Sequence, residues 1–219
     1  MSEAREAVAE RARRQTRLAE LGLEEEDLTI SVVSSAAEAA RWTPNHPKTA
    51  RGLMRWIGLV AAARQQLGRK GWVCDDDDNY PTIVNAAGTV AIAFSPADAS
   101  TGTDRAPQTP PRGRATERVI DVNQALLADH FGLQRDDRSF PRDARYERPQ
   151  TWLLLHFEDE RSGELRLELS LPAAQNVDGS VSSWTERIVF PPISSSPAPV
   201  VPADEQGSAI EIPVERRAN

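Results

Sequence analysis

The feature that most constrains the fold is a strictly alternating segment, Glu164–Leu171, in the C-terminal half of the chain. Every second residue is leucine, which is the period of a β-strand with one buried face. The apolar run Thr151–Glu158 precedes this segment across a polar turn, and Trp184–Phe190 follows it. The three segments predict an antiparallel meander of three strands.

Three other segments have the apolar spacing of helices. The first ends at Gly22 and has a thin, alanine-rich stripe, which predicts a peripheral helix over 1–22. In the second, from Pro47 to Gly68, apolar residues recur at i, i+3, i+4 and i+7, so we expect a core helix. The third covers 115–131. The expected core residues of the second helix are Ala50, Leu53, Met54, Ile57, Val60, Ala61 and Leu67.

Two further segments predict strands. Leu28–Val33 alternates and is rich in β-branched residues, and Thr82–Phe94 is expected to form a hairpin that turns at 85–88. Because the strands are joined mostly as hairpins, we expect an α+β fold with a mainly antiparallel sheet. The sheet combines the hairpin with the C-terminal three-stranded meander, and two helices cover one of its faces.

Proline and glycine divide the chain into units. Nine of the 16 prolines and three of the 12 glycines lie in 95–114 and 191–208, which have no apolar period. We therefore expect a peripheral N-terminal helix at 1–22 and a single α+β domain at 23–193. The domain carries a mobile loop at 95–114, and a disordered C-terminal tail occupies 194–219.

Composition restricts the function classes. The net charge of −7 argues against nucleic acid as a partner, because sequence-independent binding needs a basic surface. The single cysteine, Cys74, excludes an intrachain disulfide. The charged N-terminus does not resemble a signal peptide, and no apolar run approaches the length of a membrane span. We expect a soluble, cytoplasmic protein with no membrane partner.

The acidic run Asp75, Asp76, Asp77, Asp78 is a candidate metal site, since Mg²⁺ and Ca²⁺ prefer oxygen ligands. The spacing of an EF-hand loop is absent, and adjacent aspartates point in different directions. A solvated acidic turn is the alternative interpretation, and the sequence predicts no cofactor. A metal-dependent hydrolase built on this run is the weakest functional hypothesis.

An arginine-rich loop over 101–118 is a candidate anion site. Arg105, Arg112 and Arg114 lie just before the N-terminus of the third predicted helix. Guanidinium groups and free helix amides both bind phosphate. The P-loop pattern and its lysine are missing, so this is not a Walker loop. The loop predicts a small-ligand or nucleotide-binding module.

Parts of the C-terminal half resemble uncharacterised bacterial proteins associated with mobile elements and defence-type gene clusters. The segments that carry the resemblance are Pro107–Thr116, Glu168–Pro172 and Trp184–Ile193. It implies a bacterial accessory component and assigns no catalytic residue. Together with the thin N-terminal stripe, it favours a non-enzymatic accessory or interaction subunit with a protein partner. The ligand-binding module and the hydrolase remain the alternatives.

Overall fold

The computed structural model describes residues 2–131 and 148–194. Three helices come first and are followed by three short strands, a fourth helix and four further strands. In chain order the elements are α1 (Ser2–Glu20), α2 (Glu25–Ala40), α3 (Ala50–Gly68), β1 (Val73–Asp75), β2 (Thr82–Val84), β3 (Val90–Pro96), α4 (Arg114–His130), β4 (Gln150–Asp159), β5 (Glu164–Gln175), β6 (Val181–Val189) and β7 (Ile193–Ser194). The α+β class is confirmed.

The sheet is mixed, so the expectation of a mainly antiparallel sheet is wrong. Its strand order is β1-β2-β3-β4-β5-β6, and β7 also pairs with β5. The predicted hairpin and meander are present as antiparallel pairs. However, β3 and β4 are parallel, with Ile92 opposite Trp152. The loop after β3 and helix α4 form a crossover between these strands, and such a connection makes the second strand run in the same direction.

Helices α3 and α4 lie on opposite faces of the sheet, so the expectation that two helices cover one face is also wrong. Leu59 of α3 belongs to the main core with Ile92 and Trp152. Thr151 precedes Trp152 in β4 and therefore faces the other side. There Asn123 of α4 donates to the Thr151 carbonyl at 2.8 Å and accepts from the Thr151 amide at 2.9 Å.

Leu28–Val33 lies inside α2 and is not a strand. The side chain of Glu24 accepts from the backbone at the third helical position, Asp27. Asp27 in turn accepts from the Glu24 amide at 3.0 Å. Leu28, Ser31 and Val32 are buried whereas Ile30 and Val33 are exposed, and this spacing of three and four residues is that of a helical face. A capping box combined with packing against α3 outweighs the preference of β-branched residues for strands.

The buried stripe of α3 differs from the expected one. Leu67 is fully buried as predicted, but Leu53 and Ile57 are 55% and 52% exposed. The helix turns Gly58 toward α2, where an added Cβ would lie 3.0 Å from the Glu38 Cβ. This close approach of the two helices rotates the neighbouring Ile57 outward.

Only the C-terminal half of α1 belongs to the core. Leu18 and Leu21 are buried, whereas Val8 is 70% exposed. The helix ends at Gly22 as predicted, with the left-handed φ of +74° that favours glycine. Of the predicted tail at 194–219, Ser194 lies in β7 and 195–219 are outside the described residues. The division of the chain into units stays a prediction. No helix within the described ranges is long and apolar enough to cross a membrane.

Candidate ligand-binding site

The acidic run bridges the two helical layers. Asp76 accepts two hydrogen bonds from Arg64 of α3, at 2.7 and 3.2 Å, and these bonds lower the pKa of the Asp76 carboxyl. Asp78 forms an ion pair with Arg118 of α4. Because α3 and α4 lie on opposite faces, these contacts hold them together around the β1 edge of the sheet.

The carboxylates of the run do not converge on one point. Asp75 accepts from the backbone amide of Asp77 at 3.1 Å. Over residues 2–131 and 148–194, no group of three or more histidine, cysteine or acidic side chains is placed to hold a metal ion. Asp76 and Asp78 each pair with an arginine, and the metal site predicted at Asp75, Asp76, Asp77 and Asp78 stays a prediction.

The same turn positions Tyr80 between two cavities. Asp78 and Asn79 have φ values of 54° and 56°, in the left-handed region that aspartate and asparagine tolerate best among residues with a side chain. Tyr80 lines a cavity on each side of the turn. Its hydroxyl is buried and has no hydrogen-bond partner in the described part of the chain. A buried hydroxyl without a partner costs free energy in the folded state.

The first cavity, the Arg112 cavity, has a volume of about 220 Å³. Its lining contains a guanidinium group, three aromatic rings and two prolines, and it contains no acidic residue. The lining residues are Trp56, Asn79, Tyr80, Pro81, Phe94, Pro111, Arg112, Gly113 and Thr116.

The second cavity, the Asp77 cleft, has a volume of about 240 Å³ and lies between the acidic run and α4. The small side chains of Thr82, Ala91 and Thr151 leave space at its floor. Arg118 and Asp78 neutralise each other, whereas Asp77 has no ion pair within the described ranges. The lining of the cleft contains three aspartates and two arginines, so the cleft is a poorer place for an anion than the Arg112 cavity.

Of the three arginines singled out by sequence, only Arg112 lines one of these two cavities. Its guanidinium carbon lies 5.6 Å from the centre of the Tyr80 ring. Its Nη2 donates to the Phe94 carbonyl at 3.5 Å, the limit of a hydrogen bond. Arg105 and Arg114 are exposed and line neither cavity. No carboxylate pairs with Arg112 among the described residues.

The backbone on either side of Arg112 is held by the sheet. The Arg112 amide donates to the Gly179 carbonyl at 2.8 Å, and the Arg112 carbonyl accepts from Gln175 Nε2 at 3.0 Å. Nearby, the Thr109 amide donates to the Val181 carbonyl at 2.9 Å. These bonds present the guanidinium at a defined position, which reduces the conformational entropy lost on binding.

The buried carboxylate of Glu168 anchors the earlier part of the loop at 95–114. Glu168 of β5 is fully buried and accepts from the Gly102 amide at 2.9 Å and from Ser170 Oγ at 2.6 Å. It also accepts from Arg187 Nη2 at 2.6 Å. Arg187 in turn donates to the Thr103 carbonyl at 2.9 Å. The loop is thereby tied to β5 and β6.

Sequence reasoning missed Tyr80 and Trp56 as members of the site. Both have the pattern of packing residues, and they are far apart in the chain. Only the turn at 77–79 brings the tyrosine beside Arg112. The one available signal was that an aromatic residue, Tyr80, follows the acidic run after a single asparagine.

Comparison with known proteins reveals no matching family model, no matching curated protein and no matching solved structure.

Proposed function

We propose that the protein is a non-enzymatic binding module that holds a small anionic ligand in the Arg112 cavity. The observation that carries the proposal is the position of Arg112. Its backbone is fixed by the sheet, its guanidinium group has no carboxylate partner in the described residues, and the cavity around it contains no acid. A charged group in such a position favours a ligand of opposite sign.

The N-terminus of α4 adds to this preference. Gly113 is the N-cap of the helix and has no side chain to accept from the first turn. The first amides of a helix have no partner within the helix, and they favour negative charge. Gly113 lines the cavity together with Arg112, so both groups act on the same ligand.

The test is calorimetric titration with inorganic phosphate, methyl phosphate and phenyl phosphate. We expect Arg112→Gln to weaken binding about tenfold, because a hydrogen bond to a charged group contributes roughly 1.5–3 kcal/mol. The control is Arg105→Gln, which removes the same charge from an exposed position outside the cavity. Absence of binding by all three compounds, or an equal loss in both variants, would contradict the proposal.

A second candidate function is an interaction subunit with a protein partner. It is supported by exposed apolar side chains on α2 and α3, namely Ile30, Val33, Leu53 and Ile57. Exposed apolar groups on neighbouring helices are typical of protein-binding surfaces. Removing 1–22 is an unsuitable test because Leu18 and Leu21 belong to the core.

The better test replaces the exposed residues themselves. We expect the double variant Leu53→Gln, Ile57→Gln to lose a stoichiometric partner in a pull-down from the native host, with the complex sized by light scattering. The control is Val177→Gln, on the exposed turn between β5 and β6. Retention of the partner by the double variant excludes this surface.

A further inference from the structure

We infer that the ligand of the Arg112 cavity is an aromatic anion, with a single ring carrying a phosphate or carboxylate group. This inference rests on the proposed function and specifies its ligand class. It follows from the composition of the cavity walls, from the volume of the cavity and from the place of the charge at its edge.

The walls of the cavity are partly aromatic. Trp56 of α3 and Tyr80 supply two rings, Phe94 of β3 also lines the cavity but is only 2% exposed, and Pro81 and Pro111 add two rigid apolar rings. Aromatic side chains bind other rings in stacked or edge-to-face arrangements, which are worth more than the buried area alone. An inorganic anion would leave these surfaces without a partner.

The walls come from separate parts of the fold. Trp56 is half-buried and packs against the main core, and Phe94 is almost fully buried. Arg112 holds its guanidinium over the face of Tyr80. The apolar walls are therefore supported from behind by the core, and the cation lies beside them. This arrangement suits a ligand with a ring at one end and a negative group at the other.

The volume of about 220 Å³ limits the size of the ligand. Pockets for drug-sized ligands measure roughly 300–1,000 Å³, so this cavity takes a smaller molecule. One six-membered ring with one anionic group fits this limit, whereas a complete nucleotide, with its base, sugar and phosphate, exceeds it. The cavity thus favours a monocyclic aryl phosphate or carboxylate over a nucleotide.

The experiment compares matched phosphates by calorimetry on the full chain. We expect phenyl phosphate to bind about tenfold more tightly than methyl phosphate, since the transfer of an aromatic ring from water to an apolar wall is favourable. Adenosine monophosphate should bind no more tightly than phenyl phosphate. Equal affinity for phenyl and methyl phosphate, or tighter binding of the nucleotide, overturns this inference and leaves the proposed function intact. If none of the phosphates binds, both fail.

Variants of Trp56 test the walls directly. Trp56→Leu should reduce the preference for phenyl over methyl phosphate at least threefold, and Trp56→Phe should retain most of it. The matched control is Trp42→Leu, which removes a tryptophan outside the cavity. Circular dichroism verifies that each variant is folded. A preference that survives in folded Trp56→Leu overturns the role of the aromatic wall.

Discussion

Protonation of the buried His156 is expected to destabilise the fold below neutral pH. The side chain lies on the β4 face that carries the main core, opposite Leu167 of β5, and its Nε2 has no hydrogen-bond partner in the described residues. Burial and, secondarily, the charge of Arg55 lower the pKa of His156 to about 3. Glu158, two residues further along β4, is not free to pair with a protonated His156, because it forms ion pairs with Arg55 and Arg51.

The size of the effect follows from the two pKa values. In the unfolded chain the imidazole titrates near 6.5, whereas in the folded protein it titrates at about 3. The unfolded state therefore binds the proton first as the pH falls. Stability is complete above pH 6.5 and falls toward pH 3, by about 1.4 kcal/mol for each pH unit well inside this window. Between pH 7 and pH 5 the expected loss is about 2 kcal/mol.

The assay is urea unfolding at pH 7 and at pH 5, followed by tryptophan fluorescence and extrapolated to water. This pH range lies above the titration of the carboxyls of Asp76, Asp159 and Asp178, whose pKa values are lowered by their hydrogen bonds. The reference variant His156→Leu should lose much less stability than the wild type between the two pH values. Replacing the exposed His130 with glutamine should leave the wild-type loss unchanged.

The measured quantity is the loss of stability between pH 7 and pH 5, so the test holds even if His156→Leu is less stable than the wild type at both pH values. An equal loss of stability in wild type and His156→Leu would show that another group titrates. A wild type whose free energy of unfolding is the same at pH 7 and pH 5 would show that the folded protein accommodates the charged imidazole.

Two further predictions concern stability. Glu168→Ala should lower the free energy of unfolding by about 3 kcal/mol or more, because it leaves the partly buried Arg187 without its carboxylate. Urea unfolding measures this loss. A loss no larger than that of the exposed Glu160→Ala would contradict the prediction. Tyr80→Phe should raise the free energy of unfolding by about 1 kcal/mol, because it removes a buried hydroxyl without a described partner. A variant that loses stability would show that the hydroxyl is bonded in the folded protein.

Short-range patterns predicted many of the local elements. The alternating leucines of β5 indicate a strand with one buried face, and Leu165, Leu167, Leu169 and Leu171 all lie in the main core. The turn between β2 and β3 was predicted from its own residues, and so was the end of α1 at Gly22. In each case the cause acts within a few residues, so the sequence was sufficient to identify the element.

The candidate site depended on contacts between distant parts of the chain. Arg112 was recognisable as a possible anion ligand, but nothing near it in sequence distinguished it from Arg105 and Arg114. The difference arises from Gly179 and Gln175, which hold its backbone, and from Tyr80, which lies under its guanidinium group. Such partners cannot be identified from sequence patterns, because they lie far apart in the chain and at no regular spacing.

Local residue patterns thus determined the α+β class, the hairpin and the meander, because hydrophobic period and turn chemistry act over short stretches of chain. The tertiary structure decided the helical state of Leu28–Val33, the parallel pairing of β3 with β4 and the role of the acidic run as a link between α3 and α4. These outcomes depend on which surfaces meet after the chain has folded. The packing of α2 against α3 and the pairing of β3 with β4 contribute more free energy than the local secondary-structure preferences that oppose them.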